Sequence, residues 1–206
     1  MRRDPSYLAN QFRNDLNTKF TNEGYYCLDN GWNSKDGNYC DDNIAFTGGQ
    51  RDFQNAIGFL DHIQTSKQLT WSNGLAQACR DLVLDIGPGD RADHSSHHGS
   101  IKSRADRYAN SKEVSEVITF SKQMDSFNKE AEWMVKSLII DDGHYARKDR
   151  DVISDGDFTH AGVACGCHST YGDMCCVMVG RDVRDKVTGW VDSIDTVSKD
   201  QCKDYV

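Results

Sequence analysis

The chain has 206 residues, a formal charge of −8, 37% hydrophobic residues and a mean hydropathy of −0.69, the dimensions of one domain with extensions. Counterion release on nucleic acid needs a basic face, and spanning a bilayer needs about 20 consecutive apolar residues; the chain offers neither, so nucleic acid, an anionic membrane surface and a transmembrane segment are all excluded. Four tryptophans among 10% aromatic residues, spread along the sequence, argue for a packed core rather than disorder.

Asp4-Pro5 opens a helix as N-cap and first-turn proline. Leu8, Phe12, Leu16 and Phe20 follow at four-residue spacing and give it one apolar face. From Asn22 to Gly49 the composition turns to Gly, Asn, Asp and Tyr, which reads as loop, with Cys27 and Cys40 placed to clip it. A second helix is predicted over Arg51 to Ser66, with Phe53, Ala56, Ile57, Leu60 and Ile63 inward. Ser72 caps a third, whose inward set is Leu75, Cys79, Leu82, Val83 and Ile86; Arg80, Asp81 and Asp85 are expected to face water. Gly87-Pro88-Gly89-Asp90 stops that helix by removing a donor and permitting positive φ.

A histidine-rich loop, His94 to Gly99, comes next, and Ser100 to Tyr108 is a short helix candidate. Val114 to Phe120 alternates as a strand. Asn128 to Ile140 has helical period, with Ala131, Met134, Val135, Leu138 and Ile139 inward. After a basic turn, Ala161 to Ser169 and Met174 to Gly180 form a hairpin about Thr170-Tyr171-Gly172-Asp173. Arg181 to Val206 is an extension carrying Trp190 and Cys202. Helices before and between a few antiparallel strands place the chain in the α+β class.

Eight cysteines in a small polar chain point to an oxidising compartment. The expected location is therefore extracellular, although no apolar leader follows Met1. Eight cysteines allow 105 full pairings. A tight turn at Tyr171-Gly172 would set Cys167 opposite Cys176, with Cys165 on the same face and Cys175 on the other. Cys175 and Cys176 then need different partners, Cys79 is a candidate for Cys165 or Cys175, and Cys202 ties down the C-terminal extension.

Four pieces of the sequence, in order, carry a resemblance. The first is Ala56–Leu60, then Leu69-Thr70-Trp71-Ser72 and Leu75-x-x-Ala78. The second is His94-Ser95-Ser96-His97-His98-Gly99-Ser100. The third is Ser115-Glu116-Val117-Ile118. The fourth runs from Asp141-Asp142-Gly143 to Ile153, followed by Gly162-Val163-Ala164 and Gly166-Cys167-His168. Together they resemble the CAP superfamily, the cysteine-rich secretory, antigen 5 and pathogenesis-related proteins, also called SCP-like, over about residues 51 to 180.

The resemblance implies a three-layer α-β-α sandwich with a small, mainly antiparallel sheet. The expected divisions are an N-terminal helix and loop extension (1–50), a CAP/SCP-like domain (51–180) and a C-terminal extension packed on it (181–206). It also implies a cleft lined by two histidines and two acids that can hold zinc. His94 takes the first histidine's place and Glu116 the strand acid's. The second histidine falls on Asp149, and Asp142, or its neighbour Asp141, stands for the second acid. Arg150 keeps its family place, and His168 is a secondary cleft candidate. His94 and Glu116 are the metal candidates. With one imidazole and several carboxylates, zinc loses ground to a harder ion such as calcium.

No G-x-S-x-G elbow and no phosphate loop is present. The expected function is therefore a secreted, non-enzymatic domain that binds a protein, glycan or lipid, with no cofactor and a degenerate metal cleft. The alternatives are a metal-dependent hydrolase or metal-regulated cleft, and a structural subunit that self-associates through its terminal extensions.

Overall fold

The structure, a computed structural model, describes residues 1–28, 40, 43–122, 127–143 and 146–189. Trp190, Cys202, His144 and most of the Tyr25–Tyr39 loop lie outside the described residues. Six helices and eight strands follow one another among those described: α1 (Pro5–Thr18), β1 (Tyr26–Cys27), β2 (Asn43–Ile44), α2 (Gln50–His62), β3 (Thr70–Trp71), α3 (Asn73–Ile86), α4 (Ile101–Tyr108), β4 (Ala109–Asn110), β5 (Glu113–Ser121), α5 (Phe127–Ile140), α6 (Lys148–Ser154), β6 (His160–His168), β7 (Gly172–Arg181) and β8 (Arg184–Asp185). They divide into two compact units, Met1–Lys67 with Ile139–Lys148, and Gln68–Leu138 with Asp149–Val206.

In the first unit Asp4 caps α1 by accepting from the Tyr7 amide at 3.0 Å. Phe12 of α1, and Phe20 just beyond the end of that helix, meet Phe53 of α2 edge-on, with Tyr26 and Phe46 completing the aromatic core. Such ring pairs add to area burial by favourable quadrupole geometry. Cys27 is buried with a free thiol, so the clip to Cys40 is not formed.

The second unit is built on a four-stranded sheet in the order β3-β6-β7-β5, antiparallel except for the parallel β3–β6 pair. One face carries α3 and α4. All five predicted inward residues of α3 are fully buried, against Ala164, Met174, Cys176 and Met178 of the sheet. The approach is close enough to demand glycine at Gly162 of β6, where a Cβ would lie 2.0 Å from the Ala76 amide nitrogen of α3. The opposite face belongs to α5: the Thr119 hydroxyl of β5 lies 2.7 Å from the Ser137 hydroxyl. Alternation along β5 thus sends Val114, Ile118 and Phe120 to one helical layer and Thr119 to the other. The result is the expected α-β-α sandwich with a small, mainly antiparallel sheet.

Several local expectations are corrected. Gly87 caps α3 at φ −58°, not in the left-handed region; a side chain there would meet the Cys167 carbonyl at 2.5 Å, so space rather than φ requires glycine. Asp81 is buried instead of water-facing, because the Tyr108 hydroxyl donates to its carboxylate at 3.0 Å. Val135 is exposed and Trp133 turns inward instead, beside Met134, which is buried as expected. Lys148–Ser154, read as a basic turn, is helical.

The hairpin register also differs. Its loop is Ser169–Tyr171, closed by His168 opposite Gly172, which sits at φ +93°. A three-residue loop followed by a left-handed glycine at the start of the strand displaces the pairing by an odd number of residues, and an odd slip exchanges faces. Cys165 therefore stands opposite Cys175 and bonds to it, while Cys176 faces α3 and bonds to Cys79. The two adjacent cysteines do take different partners, as alternation requires.

Candidate functional site

The loop after α3 is tied down before it reaches the site. Asp93 accepts from the Ser95 amide and pairs with Arg91, and Ser96 accepts from the His98 amide. His97 anchors the loop to α3: its amide and its Nδ1 each lie 2.7 Å from the Asp85 carboxylate. Burial pushes the Asp85 carboxyl up, but hydrogen bonds from His97 and Ser96 outweigh it and hold the group at about 2. Gly99, at φ +95°, turns the chain into α4, whose N-cap Ser100 accepts from the Ser103 amide.

This positions His94 over β5. Its Nδ1 lies 2.9 Å from Glu116 Oε1, and with a carboxylate as acceptor Nδ1 carries the proton, leaving Nε2 for the solvent side. The imidazole is half exposed, whereas Glu116 is fully buried. The other carboxylate oxygen, Oε2, accepts from Arg104 Nη2. Arg104 is buried without exposed surface, and its Nη1 also donates to the carbonyls of Gly99 at 2.9 Å and His94 at 3.4 Å. One guanidinium thus fixes both the acid and the backbone that carries the histidine. The hydrogen bond that His94 donates to Glu116 is the main cause that raises the His94 pKa. The charges of Glu116 and Asp149 add to it; burial and the charge of Arg104 oppose it.

His94 and Glu116 therefore meet, and Asp149, in the first turn of α6, acts on the same imidazole through its charge. Arg150 beside it is buried in α6. Asp142 belongs to the first unit, where its carboxylate accepts from the Thr47 amide at 3.1 Å. The rest of that motif closes its own turn: Arg147 donates to the Ile140 and Asp141 carbonyls and pairs with Asp52 at 2.7 Å. His168 is buried and saturated. Its Nδ1 accepts from the Thr170 and Tyr171 amides, so Nε2 donates to the Arg91 carbonyl at 2.9 Å.

Arg104 was not singled out from the sequence. Its signal lies in the spacing of α4, where Ile101, Arg104, Ala105 and Tyr108 form a stripe at i, i+3, i+4 and i+7.

Residues 64–179, more than half of the chain, match the model of the cysteine-rich secretory protein family, CAP. The chain belongs to that family. Among solved structures, the chain is similar to the 1.5 Å crystal structure of an extracellular protein containing an SCP domain from Bacillus anthracis str. Ames. That protein is 16% identical, with a TM-score of 0.44 over 65% of this chain and 39% of its own. This chain thus spans well under half of that protein's length. No curated protein matches it.

The residues at this CAP cleft do not fit the zinc that the resemblance implies. Tetrahedral zinc favours several imidazole or thiolate donors. Here one imidazole remains, and the carboxylate nearest to it already accepts from Arg104 and His94 through both oxygens. The His94 ring meets no hydroxyl or thiol nucleophile among its hydrogen bonds within the described residues. What the arrangement offers is a half-exposed imidazole, held in one orientation, with a raised affinity for a proton.

Proposed function

We propose that this CAP domain is secreted and works by binding a protein, glycan or lipid partner, without catalysis and without a resident cofactor. The observation that carries this reading is Glu116, fully buried with both carboxylate oxygens committed to Arg104 and His94. A general base or metal ligand needs an available lone pair directed at the reacting atom or ion. Here one lone pair of each oxygen holds the loop, Oε2 further faces the buried Cys176 sulfur, and the side chain has no exposed surface at which the cleft could offer a base or a ligand. The disulfides Cys79–Cys176 and Cys165–Cys175 support an extracellular setting.

The test is a calorimetric and thermal-shift titration of the oxidised protein with zinc and calcium, run beside His94→Ala. No saturable binding and no shift in Tm, in either protein, is the expected result. A metal-dependent rise in Tm that His94→Ala abolishes would overturn the reading and establish the metal-dependent alternative.

A further inference from the structure

Among the described residues, one group of three metal-ligating side chains has converging donor atoms. The Cys79, Glu116 and Cys176 donors all lie within 4.8 Å of one another, and all three residues are buried. In the structure the two sulfurs are bonded, so the group is closed to a cation while that bond stands. Cys176 Sγ packs 3.4 Å from Glu116 Oε2.

We propose that reductive opening of Cys79–Cys176 converts this group into a buried site for a soft divalent cation of the zinc class, with two thiolates, one carboxylate and an open fourth position. A phosphine reductant supplies two electrons to the sulfur–sulfur bond, takes its oxygen from water and leaves a proton on each sulfur. The cation then displaces those two protons as it binds the thiolates. Thiolate donors select zinc or cobalt over calcium and magnesium, and three protein ligands with one open position is a common zinc arrangement.

The charges also balance. Two thiolates and one carboxylate, offset by the Arg104 guanidinium already bound to Glu116, leave two negative charges for a divalent ion to cancel. A buried site that ends neutral avoids the desolvation cost of a buried net charge. The ligands keep their spacing without the bond, because they stand on regular elements. Cys79 projects from the middle of α3, seated on β6 at Gly162, and Cys176 and Glu116 lie on neighbouring strands. This inference concerns the reduced chain and does not rest on the binding reading, which concerns the oxidised one.

The experiment uses the whole chain, reduced anaerobically with a phosphine, checked by near-ultraviolet circular dichroism and titrated with cobalt(II). One equivalent is expected to produce thiolate-to-cobalt charge-transfer absorption that one equivalent of zinc removes. Cys176→Ser and Cys79→Ser should each lose the band, whereas the joint Cys165→Ser, Cys175→Ser variant should keep it. Glu116→Gln should keep the band and weaken binding by about tenfold or more, since losing a ligand costs at least as much as losing an outer partner. No band in the reduced protein, the same band in Cys176→Ser, or collapse of the near-ultraviolet signal on reduction would each overturn the proposal.

Discussion

Replacing Arg104 by methionine tests the centre of the site most directly. Both side chains of the Arg104–Glu116 pair have no exposed surface, so the change leaves a carboxylate in the interior without its cation. Two carbonyls, of Gly99 and His94, lose donors at the same time. Breaking a fully buried ion pair from one side costs about 3–5 kcal/mol. In a chain of this length each kcal/mol moves Tm by about 2–4 °C, so Arg104→Met should melt about 6–20 °C below the parent. Urea unfolding and thermal melting at pH 7 measure it. A second variant joining Arg104→Met to Glu116→Leu should recover most of the loss, because no orphaned charge remains. Arg104→Lys should not, since an ammonium cannot reproduce a fork divided among one carboxylate and two carbonyls. A cost for Arg104→Met below about 1 kcal/mol, the range of an exposed pair, would refute the reasoning.

By proton NMR, His94 should titrate above the ordinary histidine pKa of about 6.5, and Glu116→Gln should lower that value. Because the folded-state pKa is the raised one, the associated stability is fully present below about pH 6.5 and is lost as pH rises through the folded value; a His94-dependent gain on raising pH would contradict this. Gly162→Ala should destabilise the second unit by about 3 kcal/mol or more in urea, because the added methyl meets the backbone of α3 and not the end of a flexible side chain. Ser72→Ala removes the acceptor for the Leu75 amide and the donor to Asp185, and should cost about 1–2 kcal/mol of unfolding free energy.

Much of the fold was legible because it follows local periodicity. The five apolar positions of α3, its Ser72 cap and the alternation of β5 each name their own partners' side. What escaped was decided by non-local groups. Asp81 goes inside because a tyrosine hydroxyl on another helix awaits it. The Lys148–Ser154 helix has only Val152 and Ile153 as apolar residues, too few to show a period. The hairpin register turned on Gly172 standing at the first residue of its strand and not at the centre of the turn. In the site, the His94–Glu116 meeting follows the family motif. Arg104 went unremarked because a charge on an inward stripe is read as an exception until its acid is seen opposite.

The tandem cysteines of β7 have one further consequence. A shift of that strand by a single residue that set Cys176 opposite Cys165 would move Cys175 into the place of Met174, and the opposite shift, which brings Cys175 to the place of Cys176, would carry Cys176 opposite Val163. In either case one sulfur lies two strand residues, about 7 Å, along from its partner, too far for a bond. Closing both bridges at once therefore proofreads the alignment, and a slipped chain would betray itself by thiols left open to alkylation.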